Sequence, residues 1–113
     1  MSNSVKTVGD ADFKTKVTDS GKPVLVSFWA QWSAPSRMLF PTLESVAAEC
    51  REAEILSMDM DQNTSVPTEH TIVSLPTLLM FKKGVVVDKM VGARPKADIK
   101  NMVVKAVASG GQA

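Results

Sequence analysis

The chain has 113 residues, of which 44% are apolar and 22% are charged, and its formal net charge is +1. This balance is typical of one soluble globular domain, and the interspersed charges and short apolar runs give no indication of a nucleic-acid partner or a membrane span. The sequence contains one cysteine, Cys50, which excludes an internal disulfide and a metal site built from cysteines alone.

The first predicted elements are a short strand and a helix. Val5 to Val8 form the strand, and Asp10 is predicted to cap the helix that follows. Phe13 and Val17 have the i, i+4 spacing that puts both on the apolar face of that helix. The helix is predicted to end at Gly21-Lys22-Pro23.

The next segment predicts a buried strand followed by a long helix. Val24 to Trp29 is a nearly continuous apolar run, which is typical of a strand covered on both faces. The helix is predicted to begin near Pro35 and to be kinked by Pro41, because proline has no N–H to donate. Its apolar stripe is predicted to consist of Leu39, Leu43, Val46 and Cys50.

The second half continues the alternation of strands and helices. Ile55 to Asp59 predict a strand, and Thr64 to His70 predict a short helix. Thr77 to Phe81 predict a second buried strand. Lys82-Lys83-Gly84 then makes a tight turn into Val85 to Met90, which predicts an antiparallel hairpin.

A final helix completes the predicted fold. Pro95 opens this helix, whose buried face is predicted to consist of Ile99, Met102, Val103 and Ala106. Strands that alternate with helices predict an α/β fold with a central mixed sheet flanked by helices, in which the C-terminal hairpin is antiparallel. We expect one domain over residues 1–108 and a flexible tail over residues 109–113.

Five segments are distinctive in their residues: Pro23 to Met38, Asp61 to Asn63, Ser74 to Leu78, Phe81 to Gly84, and Val91 to Ala93. In this order along the chain they resemble segments of the thioredoxin family, in which the first is the active-site region and the third is the cis-proline loop. The resemblance extends from about Asp12 to Val107, and it implies a thioredoxin fold and an activity in dithiol–disulfide exchange.

The active-site segment departs from the family at both redox positions. The family uses Trp-Cys-Gly-Pro-Cys, in which a thiolate at a helix N-terminus attacks a substrate disulfide and the second cysteine resolves the mixed disulfide. This sequence has Trp32-Ser33-Ala34-Pro35-Ser36 instead. A serine hydroxyl stays protonated near neutral pH and forms no sulfur–sulfur bond. The resemblance therefore implies that Ser33 and Ser36 are degenerate redox positions, and we expect no enzyme activity from the chain as written.

Two further departures concern a buried ion pair. Where the family places a buried aspartate that assists proton transfer, this sequence has Ser27, and the lysine neighbour of that aspartate matches Ser57. Burying a carboxylate costs on the order of several kcal/mol. The family retains it because exchange needs a base. In a chain without redox chemistry, replacing both members of the pair loses nothing catalytic.

The resemblance also implies a partner-binding groove. In the family, the cis-proline loop offers backbone groups to an extended peptide, much as a strand adds to a sheet edge. We therefore expect a non-catalytic module that binds an extended peptide or protein. The groove residues implied by the resemblance are Trp32, Ala34, Pro35, Leu75, Pro76, Gly92 and Ala93.

Two other functional interpretations remain open from the sequence. One is a thioredoxin-type thiol–disulfide oxidoreductase whose two active-site cysteines were mutated to serine. The other is a folding scaffold that uses another face, although nothing in the sequence marks such a face. In each case we expect a cytoplasmic monomer without cofactor or metal.

Several single residues have a structural and a functional interpretation. Ser33 as an acyl-transfer nucleophile would need a base, and His70 is expected at the exposed end of a short helix. Asp59, Asp61 and Glu69 beside His70 are expected to be solvated charges rather than a metal site.

The apolar candidates are interpreted mainly as packing. Cys50 is expected to be buried as a small hydrophobe. Trp29 is expected to pack in the core and Trp32 to contact a partner. For the methionines, the expectation is that Met38 and Met80 lie in the core and that Met58 and Met60 are partly exposed.

Overall fold

A five-stranded sheet forms the centre of the computed structural model, which describes residues 4–109. Its strands lie in the order β1-β3-β2-β4-β5. The first three strands are mutually parallel, whereas β4 is antiparallel to β2 and β5 is antiparallel to β4. The predicted mixed sheet and the antiparallel hairpin are therefore confirmed. The strands are β1 (Lys6–Thr7), β2 (Val24–Trp29), β3 (Glu54–Asp59), β4 (Thr77–Lys82) and β5 (Val85–Val91).

In the described part of the chain, four α-helices and one π-helical turn, Lys14–Thr18, accompany the sheet. The predicted long helix is divided at Leu39, which ends one helix and begins the next. Pro41 lies in the first turn of the second helix, where a missing N–H costs no hydrogen bond. The expected kink is thus a complete break. The helices are α1 (Ala34–Met38), α2 (Phe40–Glu49), α3 (Ser65–Glu69) and α4 (Lys96–Ala108).

The two faces of the sheet carry separate apolar clusters, because alternate strand residues point to opposite faces. One cluster joins Leu25 and Ile55 to α2 and α4, and the predicted stripes of both helices are buried in it. Cys50 belongs to this cluster and is buried, as expected for a small hydrophobe. The other cluster joins Val26 and Phe28 to the π-helical turn and α3.

The role predicted for Asp10 is wrong. The π-helical turn after it begins at Lys14, and its N-cap is Phe13, which makes no side-chain cap hydrogen bond. The Asp10 carboxylate instead accepts hydrogen bonds from the backbone N–H groups of Thr64, Ser65 and Val66, at 2.9, 3.0 and 2.8 Å. These are the free N–H groups of the first turn of α3, which any helix must satisfy from outside. Asp10 therefore caps a helix that lies far along the chain.

Two methionine predictions are also wrong. Met38 is 75% exposed, because Ser36 and Leu39 occupy the inner side of the helical turn and leave Met38 on the outer side. Met58 is fully buried rather than partly exposed, because β3 lies between β1 and β2 and both of its faces are covered. Met80 is buried and Met60 is half-buried, as expected.

Two further expectations concern the ends of the chain, namely the first strand and the C-terminal tail. The first strand is shorter than Val5 to Val8, since only Lys6–Thr7 is regular, although the Val8 N–H still donates to the Ser57 carbonyl at 2.9 Å. Residues 110–113 of the expected tail lie outside the described residues. Ser109 is described, and its hydroxyl contacts the Ala106 carbonyl at 3.2 Å. Within residues 4–109, no helix has the length and apolar character needed to cross a membrane.

Candidate functional site

Three loops meet at one edge of the sheet. Strand pairing places Phe28 at the end of β2 opposite Thr77 at the start of β4, and Thr77 opposite Val91 at the end of β5. The segment after β2, the loop before β4 and the turn after β5 are therefore neighbours. The Gly92 N–H donates to the Pro76 carbonyl at 2.8 Å and joins two of these loops directly.

Ser33 begins α1 as its N-cap. Its hydroxyl accepts a hydrogen bond from the Ser36 N–H at 3.4 Å, and Pro35 follows in the first turn. Serine at the N-cap and proline in the first turn are both favoured, since each suits the free N–H groups there. The helix thus begins at Ala34, which confirms the predicted start near Pro35. The sequence analysis missed this cap, although a serine two positions before a proline is a usable signal for it.

Ser36 is completely buried and ties the helix to the strand before it. Its hydroxyl oxygen lies 2.8 Å from the Ser33 carbonyl and 3.3 Å from the Ala30 carbonyl, and it accepts the Ala30 N–H at 3.3 Å. A hydroxyl can donate one hydrogen bond and accept two. The Ser36 hydroxyl therefore uses its donor and one of its two acceptor positions on the local backbone, and it is not presented to solvent.

Ser27 and Ser57 lie directly opposite each other in the parallel pair of β2 and β3. Both are buried, on the face of the sheet that packs against α2 and α4. The Ser27 hydroxyl has no hydrogen-bond partner within residues 4–109. The two positions that resemble the aspartate and lysine of the family are thus neighbours, and here they hold two uncharged hydroxyls.

Trp32 and the residues just before the cis-proline form the exposed part of the site, whereas Pro76 itself is buried. Trp32 is 71% exposed, and its indole N–H donates to an Asp61 carboxylate oxygen at 3.1 Å. The Leu75-Pro76 peptide bond is cis, and Thr77 holds the loop through a 2.6 Å hydrogen bond from its hydroxyl to the Ser74 carbonyl. We call this surface, together with Ala34, Pro35, Gly92 and Ala93, the groove.

The Leu75 backbone is one part of the groove that lacks internal hydrogen bonds. Within residues 4–109, neither its N–H nor its carbonyl bonds to another backbone group, although Pro76 on its C-terminal side is tied to Gly92. The Leu75 side chain is half-buried, and Val73 just before it is 86% exposed. The sequence analysis did not single out Val73, because an isolated valine in a loop carries no pattern.

His70 lies at the other end of the sheet. Its ring packs against Phe13 and Phe81, with ring centroids 6.2 and 5.5 Å away, so the expectation that it is exposed is wrong. Phe81 pairs with the first residue of β2. The strand β2 therefore separates His70 from Ser33 by on the order of 15 Å. His70 is not placed to act as a base for the Ser33 hydroxyl.

Cys50 is also remote from the groove. It follows the last residue of α2, whereas Ser33 precedes the first residue of α1. The ten residues of α2 alone span about 15 Å. Burial raises the pKa of the Cys50 thiol, although the positive charge of Lys100 opposes this effect. The raised pKa keeps the thiol protonated and therefore unreactive.

No metal centre accompanies these residues. Within residues 4–109, no three His, Cys, Asp or Glu side chains come close enough to hold a metal ion together. Asp59 accepts the Asp61 N–H at 2.8 Å, and Asp61 in turn accepts the Trp32 indole N–H. These two carboxylates shape the turn after β3.

The mixed sheet, the helix that begins beside Trp32 and the cis-proline loop define a thioredoxin-fold domain. A family model described as Thioredoxin matches residues 4–105. A curated relative named Thioredoxin, from Staphylococcus aureus, is 44% identical over 99 residues, which cover 87% of this chain and 93% of the relative. Another relative named Thioredoxin, from Streptomyces clavuligerus, is 40% identical over 97 residues, which cover 86% of this chain and 91% of the relative. The chain belongs to the thioredoxin family, a family of thiol–disulfide oxidoreductases.

Proposed function

We propose that this chain is a redox-inactive member of the thioredoxin family that binds an extended peptide or protein segment in the groove. The proposal that it lacks redox activity rests on the number and position of its cysteine thiols. Disulfide exchange needs a thiolate to attack and a second thiol to resolve the mixed disulfide. The sequence has one cysteine, and that cysteine is buried at the far end of α2. The hydroxyls of Ser33 and Ser36 serve as backbone hydrogen-bond partners instead.

The proposal of peptide binding rests on the Leu75 backbone. A free N–H and carbonyl at an exposed loop are the groups that an incoming extended segment uses when it adds as a strand. Trp32, at the same edge of the sheet, supplies a large apolar surface, and an aromatic anchor of this kind contributes on the order of 2 kcal/mol to binding. The unpaired Leu75 backbone, at the edge that also carries the exposed Trp32, is the observation that supports this function.

The experiment measures binding of extended apolar peptides by isothermal titration calorimetry. We expect Trp32→Ala to weaken binding by at least tenfold, because the ring surface is lost. Val104→Ala is the matched control, because Val104 is also an exposed apolar side chain but lies on α4. Equal binding by the wild type and Trp32→Ala would exclude the groove as the binding site.

Disulfide reduction provides the second test. We expect no turnover of insulin disulfides by the purified chain, because no thiol pair is present. Turnover in a preparation free of contaminating reductase would overturn the redox-inactive assignment.

The alternative function is a thioredoxin-type oxidoreductase whose cysteines were replaced by serine. The identity of 40–44% with relatives named Thioredoxin favours it. It predicts that Ser33→Cys with Ser36→Cys confers insulin reduction, and that Ser27→Asp increases the rate by supplying a base. A chain with all three substitutions that remains inactive would argue against this alternative.

A further inference from the structure

The two ends of the groove carry opposite charges. The strand order places the end of β3, with Asp59 and Asp61, on one side of Trp32. It places the end of β5, followed by Gly92 and Arg94, on the other side of the cis-proline loop. An extended segment that crosses the strand ends therefore passes from an acidic border to a basic one.

Arg94 provides the basic border and has no partner of its own. It is exposed and makes no hydrogen bond or ion pair with any residue in the range 4–109. The next cation, Lys96, pairs with Glu49 on α2, and the nearest acid in sequence, Asp98, forms no ion pair with Arg94. The charge of Arg94 is thus available to a ligand, without a carboxylate among residues 4–109 to compete for it.

Unlike Arg94, the two carboxylates of the acidic border accept hydrogen bonds from within the chain. One carboxylate oxygen of Asp61 accepts the Trp32 indole N–H, and one carboxylate oxygen of Asp59 accepts the Asp61 N–H. Both partners are neutral donors, so the negative charges of the two side chains are not compensated by them. No ion pair joins either aspartate to a Lys or Arg among residues 4–109.

The spacing between the borders sets the spacing of charges in a ligand. From β3 through β2 and β4 to β5 there are three strand intervals. Neighbouring strands are about 4.8 Å apart, so the borders are separated by roughly 14 Å. An extended chain advances about 3.3 Å per residue, so roughly four residues connect the two borders.

We propose that the groove selects an extended segment with an acidic residue over Arg94, a basic residue about four positions away over Asp59 and Asp61, and apolar residues between them. This inference rests on the proposed function, because it assigns the chemistry of the partner for the same groove. Complementary charges at the rim of an interface fix the direction of a ligand and reject the reversed one. The groove therefore distinguishes two segments of equal composition and opposite order.

The test uses three decapeptides with identical Gly-Ser flanks and blocked ends. Their central five residues are Glu-Val-Leu-Val-Lys, its reverse Lys-Val-Leu-Val-Glu, and a neutral Gln-Val-Leu-Val-Gln. We expect one charged order to bind roughly five- to tenfold more tightly than the other at low salt, with the neutral peptide between them. The difference in affinity is expected to shrink in 0.5 M salt, where the Debye length is roughly 4 Å.

Variants separate Arg94 from general charge effects. Arg94→Glu is expected to abolish the order preference, because both borders are then acidic. Lys83→Glu changes the net charge equally, but Lys83 lies in the turn between β4 and β5 at the opposite end of the strands, so the preference is retained.

The possible negative results are distinguishable. Equal binding of all three peptides, weakened by Trp32→Ala, overturns the charge selection and leaves the groove intact. An order preference that survives Arg94→Glu also overturns it. Failure of every peptide to bind overturns the proposed function itself.

Discussion

The Asp10 carboxylate accepts a hydrogen bond from the Val66 N–H at 2.8 Å, although 56 positions separate the two residues in the chain. The same carboxylate also accepts the N–H groups of Thr64 and Ser65. One side chain from the loop after β1 therefore satisfies the first turn of α3 and fixes this short helix against the sheet.

Replacing Asp10 with alanine should destabilise the fold in a pH-dependent way. Burial opposes ionisation of Asp10, but the three backbone donors from Val66, Ser65 and Thr64 outweigh it and lower the pKa below the ordinary value of 3.8. Its stabilising effect is therefore complete above about pH 4 and is lost as the pH falls through the lower, folded-state pKa.

The measurement is urea unfolding of the wild type and Asp10→Ala at pH 7 and at pH 3. We expect a loss of about 1–2 kcal/mol in the free energy of unfolding at pH 7, typical of a lost helix cap, and a smaller loss at pH 3. Asp88→Ala, which removes an exposed carboxylate from β5, is the control. A constant difference at both pH values would contradict the proposed role of the ionised carboxylate.

Thr71 has a strained backbone that glycine should relieve. Its φ of 55° lies in the left-handed region, which a β-branched side chain rarely adopts. This conformation costs a non-glycine residue about 1 kcal/mol. We expect Thr71→Gly to raise the free energy of unfolding by up to about 1 kcal/mol. The matched control is Thr68→Gly within α3, which should lower it by about 0.5 kcal/mol. A loss of stability in Thr71→Gly would contradict the inference of strain.

The turn between β4 and β5 allows another gain in stability. Lys83 and Gly84 have φ values of 53° and 80°, and Lys82 pairs with Val85, which makes a two-residue hairpin turn with both central residues left-handed. Asn-Gly is the preferred pair for such a turn. Lys83→Asn is therefore expected to raise the melting temperature, with a stabilisation of about 0.5 kcal/mol.

Gly84→Ala, in the same turn, should have the opposite effect on the melting temperature. A Cβ atom at this position would lie 3.0 Å from the Thr18 Cγ2 atom and 3.3 Å from the Thr18 carbonyl oxygen. The substitution is expected to lower the melting temperature. If Lys83→Asn and Gly84→Ala had the same effect, the turn would not have the inferred geometry.

Two buried serines should respond oppositely to loss of the hydroxyl. Ser36→Ala leaves the Ala30 N–H without its partner, which costs about 1–3 kcal/mol. Ser27→Ala removes a hydroxyl that has no partner within residues 4–109, so it should be neutral or stabilising by up to about 1 kcal/mol. Chemical denaturation of the two variants compares residues of the same type and similar burial. Equal losses in both would show that the Ser27 hydroxyl has a bonding partner.

Local patterns were sufficient to predict much of the fold. The helical stripe from Leu39 to Cys50 is buried as predicted, because its periodicity depends only on neighbouring turns. The continuous apolar run of β2 correctly indicated a central strand, because such a run has no face suited to water.

The errors concern residues whose environment depends on distant parts of the chain. Asp10 was assigned to the nearest helix, but its actual partners begin at Thr64. Met58 is buried because the apolar cluster that contains Val17 and Val66 covers that face of β3, and no local pattern predicts this packing. The unpaired Leu75 backbone was expected only from the family resemblance, because it depends on which neighbouring strands leave that loop unbonded and no local pattern shows this.

The hydrogen bonds of Ser36 have a consequence for the environments in which this surface can operate. In a dithiol protein, the segment between strand and helix changes its covalent structure with the surrounding glutathione poise. Serine offers no atom for that change, and here the Ser36 hydroxyl is bonded to the Ser33 carbonyl at 2.8 Å. The segment at the start of α1 therefore keeps one chemical form under oxidants and reductants alike. The occupancy of any ligand bound beside it would depend on ligand concentration and not on the redox conditions.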